Sequence, residues 1–202
     1  MTPTETVNVA HATNDTTPVR TQSENALQRA VSASYGSEDI RGRSNIVASR
    51  TVLRVAGEHE LDNLTLATLH GSGMISERPF VFADNDEGSI MAFYHLGRRL
   101  AGHAGLVHGG MIAVLLDECM GRACFPRLEG KIAVTAKMEI AYKSPMKVDS
   151  VIVIRAWTKD IQGRKAFVEA VVEDAAERRL IASATALFIQ PKWASEMSAC
   201  LP

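Results

Sequence analysis

The sequence predicts an α+β chain in which a curved antiparallel sheet wraps one central helix. Three observations predict it. A strong apolar helix pattern starts at Gly109, two β-like runs precede it as a hairpin, and four strand-like runs follow it, giving the order ββ–α–ββββ. A helix with so little polar surface needs a sheet to cover it.

Taken in order, residues 1–45 are rich in Thr, Ser, Asn and Ala, show no sustained apolar period, and read as a disordered extension. The acids Glu5, Asp15, Glu24, Glu38 and Asp39 speak against a mitochondrial presequence and for a cytoplasmic protein. Arg20, Arg29, Arg41, Arg43 and the many hydroxyls leave the mitochondrial address open. Residues 46–71 carry an apolar patch from Ile46 to Val55 and a run through Leu61, Leu64, Leu66 and Leu69, which fits a peripheral helix or an arm lying on the domain. The folded unit is expected over residues 72–191, with 192–202 as a C-terminal tail.

Within that unit, Pro79–Ala83 and Ser89–Leu96 flank the turn Asp84-Asn85-Asp86-Glu87-Gly88 and predict a hairpin. A loop is expected from Gly97 to Val107, then the helix to about Cys124, closed by Pro126 and Gly130. Lys131–Lys143 alternates through Ile132, Val134, Met138, Ile140 and Tyr142. Val151–Thr158, Lys165–Val172 and Leu180–Ile189 follow, with Asp160-Ile161-Gln162-Gly163 and Glu173–Arg179 as turns. Short turns between sequential strands predict an antiparallel meander.

Composition narrows the function. With 202 residues, 46% of them hydrophobic, the chain holds one globular domain plus extra length, and its net charge of −1 gives no pull toward nucleic acid. Cys119, Cys124 and Cys200 are odd in number and form no C-x-x-C pair, as suits a reducing compartment. No apolar run reaches the roughly 18–20 residues of a membrane span.

The chemistry is expected in Gly102–Glu118. Gly109 and Gly110 permit a tight turn and close backbone approach, and a helix starting there presents unpaired N–H groups to an oxyanion. Met111–Leu116 is apolar on every face, and Asp117 interrupts it. A buried acid there reads as a general base or nucleophile; alternatively, Asp117 and Glu118 mark the helix's emergence into solvent. About eight helical steps, roughly 12 Å of rise, separate Gly109 from Asp117. The two cannot reach one carbonyl in one copy, so joint action predicts an obligate dimer with two equivalent shared sites.

His108-Gly109-Gly110, six residues, then Leu116-Asp117-Glu118, followed by Ala133-Val134-Thr135-Ala136 and Ala141-Tyr142-Lys143-Ser144-Pro145, resembles the hotdog-fold acyl-CoA thioesterases of the phenylacetate-pathway-like branch. Gly163-Arg164-Lys165-Ala166 and Gly102-His103-Ala104-Gly105 point to the thioesterase superfamily member four type and its fungal relatives. The similarity covers roughly residues 70–191. It implies a hotdog fold and hydrolysis of an acyl-CoA to free acid and coenzyme A, without a cofactor. It also implies Asp117 as base or nucleophile, the N–H of Gly109 or Gly110 on the thioester oxygen, and His108 either on the carbonyl or shaping the loop. Thr135 would hold Asp117 or a water, and Lys143, Arg164 and Lys165 would face the coenzyme A nucleotide. His103 stands near where some hotdog enzymes place an amide side chain; this chain has no Asn or Gln there.

His103 and His108 match no metal-ligand spacing, and there is no G-x-S-x-G elbow, so neither metal nor serine-triad chemistry is expected. Two other outcomes stay open: a non-catalytic hotdog dimer that binds acyl chains or a protein, and a thioesterase acting on a carrier-protein thioester. A dimer of dimers is open as well.

Overall fold

A computed structural model describes residues 21–35, 45–55 and 57–196. Strands β1 (Ile46–Ser49), β2 (Phe80–Asp84) and β3 (Ser89–Leu96) precede a small hairpin of β4 (Ala101–His103) and β5 (Leu106–Val107). Strands β6 (Val134–Tyr142), β7 (Ser150–Gln162), β8 (Lys165–Asp174) and β9 (Leu180–Ile189) follow the central helix. All but β4 and β5 join one seven-stranded antiparallel sheet in the order β1-β2-β3-β7-β8-β9-β6. The two helices are α1 (Gln22–Tyr35) and α2 (Gly109–Cys124).

Alternation along the strands divides the residues between two layers. Ala92, Tyr94, Ile152 and Ile154 join Leu115, Leu116, Cys119 and Met120 of α2 in the main core. Phe93 and Val153 point the other way and pack with Phe82 against Leu27 and Val31 of α1. The sheet therefore carries a helix on each face, with α2 as the enclosed one. This is the expected hotdog arrangement, to which α1 is added.

Local chemistry sets the turns. Asp84 Oδ1 accepts from the N–H groups of Asp86 and Glu87, and Asp174 Oδ1 does the same for Ala176 and Glu177, so each buried carboxylate ties the loop that follows its strand. Gly88, at φ +67°, closes the β2–β3 turn where a Cβ would lie 2.6 Å from Arg127 Cγ.

Several expectations need correction. Within the extension read as disordered, residues 22–35 are helical: Thr21 Oγ1 accepts from the Glu24 N–H as a cap, and Leu27 and Val31, one turn apart, are buried. The remainder of 1–45 lies outside the described residues except Thr21 and Asn45, and most of the 192–202 tail lies outside them too. The sheet does not begin at residue 72, because Ile46–Ser49 pairs with β2. Between β1 and β2 the chain makes two short helical turns, Gly57–Asp62 and Leu64–Thr68, so it is an arm with helical pieces. The Gly97–Val107 loop contains the β4–β5 hairpin, and the 160–163 turn is tighter than expected, since β7 runs on through Gln162. The meander holds for β7-β8-β9 only. β6 pairs with β9, at the far edge, because the chain leaving α2 has crossed the width of the sheet. Nor is α2 buried on every face: Ala113, Val114, Asp117 and Glu118 are partly exposed.

Candidate active site

Asp117 sits on the open stripe of α2, and β6 supplies its partner. Thr135 Oγ1 donates to Asp117 Oδ1 at 2.6 Å, a short charge-assisted bond that fixes the carboxylate against the strand. The hydroxyl engages one oxygen, and the side chain is partly exposed.

The start of α2 is built by His108. Its backbone is extended, and its Nδ1 accepts from the Gly110 N–H at 2.8 Å, making it the N-cap. A neutral imidazole with Nδ1 as acceptor carries its proton on Nε2, which becomes a donor. The loop-shaping role foreseen for His108 thus has a physical form, and it divides the two glycines: Gly110's N–H is committed, whereas that of Gly109 meets no acceptor among the described residues. The neighbouring Gly102 is required by proximity, since a Cβ there would lie 2.8 Å from His108 Cδ2.

Tyr142, a motif residue to which the sequence assigns no role, joins the helix start. Its hydroxyl donates to Gly109 O at 2.7 Å, and its ring lies beside Gly109. Partial burial pushes its phenol up, so at neutral pH it stays a donor. Together with Val107, Ile112, Lys143 and Ser144 these residues line an open recess of about 290 Å³ at the helix N-terminus.

β6 thus carries one candidate cluster at each end. Thr135 and Asp117 stand at its start, Tyr142 and Gly109 at its end, and eight strand steps, roughly 26 Å, lie between Val134 and Tyr142. The proposed coenzyme A contacts divide in the same way. Lys143 belongs to the Gly109 end, whereas Lys165 pairs with Ile189, which pairs in turn with Val134. Arg164 is beside it, with Nη1 donating to Gln190 O at 2.7 Å. One chain does not bring the three cations together. His103 is exposed on β4.

Glu118, which the sequence offers only as a mark of the helix's emergence into solvent, is held against the arm instead. Thr65 of the arm donates to its Oε1 at 2.6 Å, and burial pushes its carboxyl up from the usual carboxylate range. The two acids are each fastened by a threonine, one to each wall of the groove. Cys119 and Cys124 are free and buried, with the Cys124 thiol pushed up to about 12 by burial. Among the described residues no cluster of His, Cys, Asp or Glu could hold a metal ion, and no helix is long and apolar enough to cross a membrane.

Residues 104–181, from the β4–β5 hairpin through α2 to the first turn of β9, match the family model described as Thioesterase superfamily. This segment belongs to the thioesterase superfamily. It contains His108, Gly109, Asp117, Thr135 and Tyr142, so both ends of β6 fall inside the superfamily region. The chain is 32% identical over 141 residues to an uncharacterized mitochondrial protein of Candida albicans, covering 67% of this chain and 63% of that one. It is 33% identical to MIOREX complex component 3 of Saccharomyces cerevisiae, covering 59% and 44%. It is 38% identical to acyl-coenzyme A thioesterase THEM4 of Rattus norvegicus, covering 54% and 46%. The chain spans about half the length of the curated relatives it matches.

Proposed function

We propose that the protein hydrolyses an acyl-CoA thioester to the free acid and coenzyme A, in a centre assembled from two copies joined along β6. The observation that carries this reading is the placement of the Thr135–Asp117 bond and the Tyr142–Gly109 bond at opposite ends of one edge strand. Among the described residues β6 pairs on one side only, and Val134 and Tyr142 are 44% and 53% exposed. A long, partly apolar edge of this kind is a template for a second strand. Antiparallel self-pairing about a two-fold axis near Met138 would lay Thr135 opposite Ala141 of the other copy, one residue from Tyr142. Asp117 of one copy would then meet Gly109 of the other, and Lys143 would join Arg164 and Lys165 at one nucleotide.

In that centre the Gly109 N–H and the dipole of α2 polarise the thioester oxygen. Asp117, held by Thr135, either takes a proton from water or attacks the carbonyl to form an anhydride that water then opens. Tyr142 keeps the first turn of α2 in place. The similarity to a protein named as an acyl-coenzyme A thioesterase supports the substrate class over a carrier-protein thioester.

The test is thiol release across an acyl-CoA panel by the wild type and Asp117→Asn, with light scattering on the same samples. Release by the wild-type dimer alone is expected; an active monomer, or equal release by both proteins, overturns the reading. A relative named as a complex component favours one alternative, an interaction dimer without turnover. That alternative takes over if both proteins are inert while the wild type still binds acyl-CoA.

A mitochondrial relative favours a mitochondrial over a cytoplasmic address. A fluorescent fusion of the chain, with and without residues 1–20, tests it and spares α1. Cytoplasmic fluorescence from the intact chain would reject that address.

A further inference from the structure

The partly exposed stripe of α2, formed by Ala113, Val114, Asp117 and Glu118, is tied to β6 on one side and to the arm on the other. Its floor is small and apolar. At the β6 wall stands Asp117 on Thr135; at the arm wall stands Glu118 on Thr65. Behind the Thr65–Glu118 bond lies a space lined by Val52, Leu53, Leu66, Ile75 and Tyr94, with only about 20 Å³ free, little more than one water.

Two features make this space unusual for a core. Tyr94 is 2% exposed, and among the described residues its hydroxyl bonds to the Cys119 sulfur at 3.9 Å, a weak partner for a buried phenol. Thr65 is also poorly placed for a purely structural role. Its single hydroxyl proton faces both Glu118 Oε1 at 2.6 Å and Asn63 Oδ1 at 3.2 Å, and it can be given fully to only one. The arm is thus tied to α2 over a mainly apolar space by this one side-chain bond, directly beside the candidate acid, while Arg78 holds Glu60 further along the arm.

We infer that the Thr65–Glu118 bond is a gate that sets acyl chain length, a specificity contact on the arm side of the acyl slot. The inference rests on the acyl-CoA reading above. Short acyl groups end on the Ala113–Val114 floor with the gate closed. Longer ones reach Glu118, and enter the space under the arm only when Thr65 lets go and Leu66 moves with it. No covalent step is involved: the Thr65 hydroxyl keeps its proton and turns its hydrogen bond to Asn63 Oδ1.

The experiment measures kcat/KM for butanoyl-CoA and dodecanoyl-CoA with the whole chain, and reads their ratio. Thr65→Val keeps the shape of the side chain and removes the bond, and should raise the dodecanoyl-to-butanoyl ratio about tenfold, the scale on which apolar pockets discriminate. Leu66→Phe fills the space beyond the gate and should lower the ratio by a similar factor. If either change merely loosens the fold, both substrates slow together and the ratio stays put, which overturns the gate; so does a fall in the ratio for Thr65→Val. Thiol release from butanoyl-CoA with unmoved ratios rejects the gate alone. Absence of release from any acyl-CoA by the wild type rejects the thioesterase reading and the gate with it.

Discussion

Thr135 and Asp117 stand 18 residues apart in the chain and are joined by a 2.6 Å hydrogen bond between the edge strand and the open stripe of α2. The bond fixes which carboxylate oxygen is engaged and which is free to work. Replacing Asp117 with Asn should lower kcat by about 10²–10⁴, the range of a general base. Thr135→Val should lower kcat by a smaller factor with little change in KM, because the acid is kept but loses its orientation. Steady-state kinetics on one acyl-CoA separates the two cases.

Tyr142→Phe tests the other end of β6. The hydroxyl given to Gly109 O is lost while the ring still packs, so the fold should weaken by about 0.5–1.5 kcal/mol in denaturant titration. Turnover should fall as well, since the first turn of α2 is no longer held. Unchanged kcat/KM would remove Tyr142 from the centre.

Sharing of the centre predicts complementation between inactive variants. Asp117→Asn and Gly109→Val each spoil one half-site, and a mixed dimer keeps one intact centre of two. Co-refolding equal amounts should restore about a quarter of wild-type activity, from random pairing. A mixture as inert as its components would place both halves in one copy.

Glu118 makes stability depend on pH. Burial raises its folded pKa above the ordinary value of 4.5, so the folded state holds the proton more tightly than the unfolded one. The associated stability is fully present below about pH 4.5 and is lost as pH rises through the folded pKa. Glu118→Gln, which cannot ionise, should gain in Tm relative to wild type as pH rises through that window, with the difference flat below it. Parallel Tm curves for the two proteins would show that Glu118 titrates alike in both states.

The elements bearing the chemistry were legible because their signals are local. The alternation of Lys131–Lys143, the Asp84–Gly88 turn and the Gly109–Cys124 helix are each written in consecutive residues, and resemblance brought Thr135 to Asp117. The place of β6 at the sheet edge was not legible, since strand order follows from where α2 delivers the chain. Thr65 and Glu118 are 53 residues apart with no shared motif, so nothing in the sequence paired them. The helix α1 had a usable signal: Thr21 with Glu24 three residues on has the form of a capping box, followed by Leu27 and Val31 at helical spacing. Two apolar anchors in a polar stretch were outweighed by composition, and what fixes them is the pocket offered by Phe82, Phe93 and Val153 on a sheet assembled from distant sequence.

The exposed edge of β6 also has a consequence for how the protein is made in the cell. Nine residues of strand with an unoccupied hydrogen-bonding side are present from the moment one chain has folded, before any second chain is at hand. During that interval the newborn chain is open to pairing with the wrong strand. Its yield should therefore depend on chaperone supply and on the rate of synthesis more steeply than the well-packed core alone would suggest.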